Sequence, residues 1–594
     1  MTPQHRGARD RNLVERIVDY GVVPILLIVS LLLPPASLGQ RLFGQGSTVV
    51  TPADGGIVPG PAGAQAVIPA GAVSHRARVV YSALQTGTTG STNGSRVFAS
   101  SLGAIKVSQI KEQSPEGEAI AALPADLIVY EPFYSLRALG KESPTAAFVT
   151  VPLPNELAAV EKADLYVWDG QAWHWQPAHP SDDLLFMQTD LSSLPVLIAV
   201  AQAQPTAPQV AVSLVGDEQD PGSATVQSLS VPGLTIDGNL GLAGSATPIE
   251  SIACLALVSN SVDGVVRSDW TDNMLIDPAA RAAHVQAIVD AVSTAGFDGV
   301  DLDYADVEPD LRADMTAFVQ ELGQALSQAD KSLTVRVAPA VYDGVNVNTG
   351  AYDWRAIGAV ADRVRVPALT DPATYAPDGD MDRVLLWAVG EVDRHKIELT
   401  TTASARDVTP AGTRQLSYDE AIIPLAGRIT ADQVPGTLKP GESILFSAKN
   451  MTTEGVSFNA DAQVYSFRYE DESGVTHETF LETGSSVARK LQYVTRYGLG
   501  GFEVDGALSP TANSNIITVI ENQSQNTVEI AAPQFAVVWS VTDPQGKVGK
   551  EIAPITDTGW TWTAPNNPGY YVIGVALSDD GGQTEGKPVV ELDV

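Results

Sequence analysis

The run Asp298-Gly-Val-Asp-Leu-Asp-Tyr-Ala305 concentrates carboxylates at a spacing that could do chemistry. On a β-strand alternate side chains share a face, so Asp301, Asp303 and Ala305 point one way and Val300, Leu302 and Tyr304 the other. Carboxylates crowded on one face raise each other's pKa, which suits general acid/base work. Such a pair belongs at the C-terminal end of a strand in a parallel barrel, where barrel active sites are built.

The elements that must position this strand are legible on both sides of it. Residues 277–295 place Ala280, His284, Ile288 and Val292 at helical spacing, and 297–304 follow as a strand. A helix over 311–329 leads to the strand 333–338. The strand 363–366, a helix over 381–394 and the strand 396–400 come next. Repeated strand–helix units predict a parallel sheet, and about 300 residues of them favour a (β/α)8 barrel.

The barrel is expected at 210–510, behind a Pro/Gln-rich linker at 201–209. Before it, 52–201 carries short β-type runs and turn signals such as Asp169-Gly170, which predict an all-β sandwich. Its opening, Gly55-Gly56 through Ile68-Pro-Ala-Gly-Ala-Val73, resembles the β-sandwich domains first described in ankyrins and netrin receptors. After the barrel, 515–594 returns to short β runs that resemble an immunoglobulin-like or PKD-like module. The expected fold is therefore multidomain, a TIM-type α/β barrel flanked by two β-sandwiches.

Residues 1–43 are expected to be a signal peptide or an N-terminal membrane anchor. Arg6, Arg9, Arg11 and Arg16 precede the apolar run 21–33, and small residues follow. This predicts an exported protein, at the cell surface or secreted. The 36 Lys+Arg against 70 Asp+Glu give a net charge of −34, which argues against a nucleic-acid partner. Cys254 is the one cysteine, so intrachain disulfides and Cys-based metal sites are excluded. Its apolar surroundings predict an inert core thiol.

The run 298–305 resembles the family 18 glycoside hydrolases, the chitinase-like barrels, and in particular the subgroup linked to spore germination and peptidoglycan. That signature reads D-G-x-D-x-D-x-E on the fourth barrel strand. The segments 275–281, 467–477 with Lys490, and Tyr497-Gly-Leu-Gly-Gly501 extend the likeness. The resemblance implies a glutamate that protonates the glycosidic oxygen while the substrate's acetamido group acts as nucleophile. Ala305 stands at that glutamate's position. Pro367-Ala368-Leu369-Thr370 stands where the family has Met-Ala-Tyr-Asp, and Asp505 where it has a tryptophan floor.

The resemblance therefore implies a pseudo-glycosidase. Asp298, Asp301 and Asp303 would be a vestigial motif with no catalytic set intact, and Asp301, Asp303, Leu369, Thr370 and Asp505 would line the old cleft. The leading expectation is a barrel that binds an N-acetylglucosamine-type envelope glycan or a protein partner. The alternatives are an active glycosidase on chitin or peptidoglycan with another acid, and a purely structural envelope component. No cofactor or metal is expected. The acidic cluster 298–310 matches no calcium-loop spacing, and Asp378-Gly-Asp-Met-Asp382 reads as a helix N-cap. Trp168, Trp173 and Trp175 read as sandwich core.

Overall fold

The computed structural model describes residues 47–86, 90–92, 95–99, 107–157, 159–215, 225–249, 252–422, 424, 429–433, 436–448, 456–471, 473–522, 534–554, 559–578 and 589–594. The expected export segment therefore lies outside the described residues. Among the described residues no helix is long and apolar enough to cross a membrane. The chain forms two compact units, Met1–Gln204 and Pro205–Val594.

In the first unit, a sheet built on Ala77–Gln85, Leu127–Ala138 and Leu197–Ala203 and a second built on Ala147–Pro152 and Phe186–Leu191 bury a common core. Val79, Tyr134, Val149 and Met187 meet there. Trp168 is buried. Trp173 donates from Nε1 to Ala119 O at 2.8 Å and Trp175 to Asp164 Oδ1 at 3.2 Å, so these rings pack inward.

Eight strands of the second unit face one another in turn, β1 Gln209–Ser213, β2 Ser228–Ile236, β3 Ala253–Ser259, β4 Gly299–Asp303, β5 Ser332–Arg336, β6 Arg363–Pro367, β7 Ile397–Thr402 and β8 Gly501–Asp505. Every neighbouring pair is parallel, and β1 pairs with both β2 and β8, so the sheet closes into a barrel. Helices α1 Ser268–Ile276 and α2 Pro278–Ala295 connect β3 to β4. Helices α3 Arg312–Gln328, α4 Trp354–Val360 and α5 Asp380–Glu391 serve the next three crossovers, and α6 Gly484–Tyr497 precedes β8.

Local chemistry sets these boundaries. The Asp277 side chain accepts from Ala279 N and caps α2, and Gly296 ends it in the left-handed region at φ 85°. Met315, Phe318, Leu322 and Leu326 form the buried stripe of α3, each contributing about 1.5–3 kcal/mol of hydrophobic stabilisation. A Cβ at Gly299 would collide with the Ser332 backbone, so glycine is required where β4 and β5 touch. Cys254 is 1% exposed, as expected of a core thiol. The N-cap of α5 is Gly379 rather than an aspartate. It makes no side-chain cap, and Asp380 and Asp382 act from the first turn instead.

Between β7 and α6 the chain inserts a five-stranded sheet ordered Gly412–Leu416, Ala405–Thr409, Thr476–Leu481, Val464–Glu470, Val456–Asn459. A further inserted strand, Ser443–Ala448, pairs with Gly559–Thr563 from the chain's end. Phe446, Leu481, Trp539 and Ile573 share one core. The boundary expected near 515 is thus crossed by strand pairing and by a common core.

Candidate functional site

The strand β4 ends at the C-terminal mouth of the barrel, and Asp301 and Asp303 face inward as the parity of the strand requires. Asp301 is fully buried. Arg336, from the end of β5, donates to Asp301 Oδ2 from Nε at 3.0 Å and from Nη2 at 2.9 Å. Its Nη1 donates to Asp505 Oδ1 at 3.2 Å, and its Nη2 to Ser213 Oγ and to Glu503 Oε1 at 3.3 Å. Arg365, 1% exposed, reaches the same Asp301 Oδ2 from β6, along with Glu398 at 3.0 Å and Ser230 at 2.8 Å. Five barrel strands therefore send acids or arginines into one interior network.

The network sorts its carboxyls. Burial works against the Asp301 charge, but the guanidinium groups of Arg336 and Arg365 outweigh it and hold this carboxyl below the ordinary range. At Asp303 burial wins. Against the pull of Arg336, and with Asp301 and Asp505 adding repulsion, it pushes the carboxyl up to about 6. Glu503 is pushed up to about 8 by burial, opposed by Arg336 and assisted by Asp505.

Ala305 lies just beyond β4. Its N–H donates to Asn260 Oδ1 at 2.9 Å, and its carbonyl accepts from Asn260 Nδ2 at 2.8 Å. Asn260 is itself fully buried and also donates to Thr271 Oγ1 at 3.1 Å. Asp306 is exposed in the left-handed region at φ 54°. Glu308 is exposed at the start of a 3-10 turn, and its N–H donates to Asp272 Oδ1 at 3.4 Å. Asp298 sits at the opposite end of β4, where its Oδ2 accepts from Cys254 N at 2.8 Å. It serves strand packing and is far from the mouth.

The expected cleft residues fall into two groups. Leu369 and Thr370, after β6, line a cavity of about 250 Å³ that Asp301, Asp303 and Asp505 do not line. Arg336 instead ties Asp301 and Asp505 to each other, at 2.9 Å and 3.2 Å. The cavity is also lined by the inserted sheet, through Arg406 and Phe480, by Glu482 just before α6, and by Lys490 in the middle of α6. Lys490, 5% exposed, donates to Glu482 Oε1 and to Thr401 Oγ1 at 3.1 Å.

Sequence reasoning missed the arginines. Thr334 and Arg336 share a face of β5, and Arg365 stands between Val364 and Val366 of β6. A lone cation inside a valine strand was the available signal.

Residues 259–504 match the model of Glycosyl hydrolases family 18. A Bacillus subtilis protein named "Putative sporulation-specific glycosylase YdhD" is 28% identical over 251 residues, covering 41% of this chain and 55% of that relative. The cortical fragment-lytic enzyme of B. subtilis is 21% identical over 266 residues, covering 43% of this chain and 57% of the relative. The chain thus spans little more than half the length of these two. The crystal structure of a chitinase from Chromobacterium violaceum aligns at 22% identity with a TM-score of 0.42, covering 54% of this chain and all of the other. Over residues 259–504, most of its barrel, this chain is thus similar to glycosyl hydrolase family 18.

Proposed function

We propose that the barrel is a glycan-binding member of its family without hydrolytic activity, carried by an exported protein that works at the cell envelope. The carrying observation is Ala305. A methyl group stands where the resemblance requires a proton donor, and the buried Asn260 grips its backbone on both sides. Asp306 and Glu308 are exposed on the loop beyond and do not replace it. Arg336 further supports the reading, because it neutralises Asp301, one of the two central aspartates on which the resemblance makes the family's chemistry depend. The relatives' printed names, a glycosylase and a cortical fragment-lytic enzyme, support a glycan ligand.

Hydrolysis of chitin oligomers and peptidoglycan, followed by product chromatography, tests the loss of activity. Calorimetric titration with the same glycans tests the binding. The expected result is binding without turnover. Robust turnover abolished by Asp303→Asn would overturn it. One observation favours that second reading, an active glycosidase: the Asp303 carboxyl, pushed up to about 6, holds its proton in mildly acidic solution.

A further inference from the structure

We infer that the cavity between the ends of β6 and β7 and the inserted sheet binds a carboxylate-bearing sugar unit, with Arg406 as the residue that recognises its charge. The inference rests on the glycan-binding reading and names the ligand class of that cleft.

Three cations line the cavity, and two are already engaged. Lys490 is held by Glu482, and Arg414 donates from Nε to Asp407 Oδ2 at 3.1 Å. Arg406 differs. Its Nη2 donates to the Thr370 carbonyl at 2.8 Å, and its guanidinium carbon lies 4.3 Å from the centre of the Phe480 ring. Among the described residues Glu482, Asp371 and Glu478 lie near enough to be felt, but none pairs with it. It is half-buried, and burial pulls its pKa down, so its charge is under-compensated in place. An incoming carboxylate would supply the missing counter-ion through a fork geometry that suits arginine.

The rest of the wall fits a sugar. Leu369, Tyr375 and Phe480 offer apolar surface, and Thr370, Ser404 and Thr413 offer hydroxyls. About 250 Å³ is below the ~300 Å³ at which drug-sized pockets begin, so one saccharide unit fits and a buried polymer does not. The charge of −34 repels polyanions at a distance, which makes a local cation the deciding contact for an anionic sugar.

The test is calorimetric titration of the full chain with glucuronic acid and with N-acetylmuramic acid, each against its methyl ester, with chitotriose as the neutral glycan. The expected result is an acid bound about tenfold tighter than its ester, the size of one charge-assisted hydrogen bond. In Arg406→Gln, checked for unchanged thermal unfolding, that preference is expected to vanish. A preference confined to glucuronic acid assigns a hexuronic unit, and one confined to N-acetylmuramic acid assigns a lactyl ether. Equal binding of acids and esters overturns the inference on the wild-type chain alone, as does a preference that survives Arg406→Gln. Equal binding with chitotriose still bound leaves the glycan reading standing. No binding of any of these sugars overturns both.

Discussion

Arg336 holds Asp301 and Asp505 with one guanidinium group, at 2.9 Å and 3.2 Å. The two acids come from β4 and β8, so a single side chain from β5 ties together strands on different sides of the barrel. The bonds from Arg336 and Arg365 all fall on Asp301 Oδ2, which commits that oxygen to the interior network.

Removing that side chain should destabilise the barrel severely. Arg336→Gln leaves the fully buried Asp301 with Arg365 alone and Asp505 without its cation. Breaking a buried ion pair from one side costs about 3–5 kcal/mol. Urea denaturation should show a loss of that order, and a loss under about 1 kcal/mol would mean that solvent screens the network.

Restoring one group should not restore hydrolysis. Ala305→Glu returns a proton donor, worth about 10²–10⁴-fold where the remaining site is intact. Leu369 and Thr370 still lack the polar contacts that the family resemblance requires at their positions. Turnover of diacetylchitobiosides should stay at background in Ala305→Glu and rise in Ala305→Glu/Leu369→Tyr/Thr370→Asp. Full activity in the single variant would show that the cleft had stayed competent.

Stability should fall as pH rises through the neutral range. A carboxyl with a raised folded pKa binds more protons folded than unfolded at intermediate pH, so its contribution is fully present below the unfolded value and is lost as pH climbs through the folded one. For Glu503 the window runs from its ordinary 4.5 to about 8, and for Asp303 from 3.8 to about 6. Glu503→Gln should flatten the decline above pH 6. Denaturation midpoints across pH 5–9 measure it, and an unchanged slope would remove Glu503 as the cause.

The Asn260 clamp should matter beyond its size. Asn260→Ala leaves the N–H and carbonyl of Ala305 without their partner and cuts the link to Thr271. The expected cost is about 2–3 kcal/mol, with faster amide exchange at 305. Protection at 305 equal to that in the wild type would show that the backbone is held by other contacts.

Trp539→Ala should disturb the inserted strand Ser443–Ala448 as well as the C-terminal strands. Trp539 is fully buried against Trp560 and Phe446, with ring centres 5.6 Å and 6.4 Å away. Truncating a buried tryptophan costs about 3–5 kcal/mol. Exchange protection should fall at Ser443–Ala448 too, and a loss confined to 534–594 would argue for an independent module.

The barrel was legible because its strands and helices differ in period. Helix α3, expected over 311–329, runs Arg312–Gln328. The strand parity that placed Asp301 and Asp303 inward also holds. Contacts between distant segments were not legible. Arg336 lies 35 residues from Asp301 and 169 from Asp505, and only closure of the barrel brings the three together. The inserted strand Ser443–Ala448 hid for the same reason, since it finds its partner at Gly559–Thr563. Local patterning reports which face a residue takes, but it carries no record of what waits on the other side.

The strand Ser443–Ala448 has a consequence for the birth of the protein. Its partner is synthesised more than a hundred residues later, and over that stretch of elongation an apolar strand edge stands open. Pairing over such separations is slow, and the waiting chain is the form most exposed to misassembly. Chains halted shortly before Gly559 should therefore be the substrates that chaperones and proteases compete for.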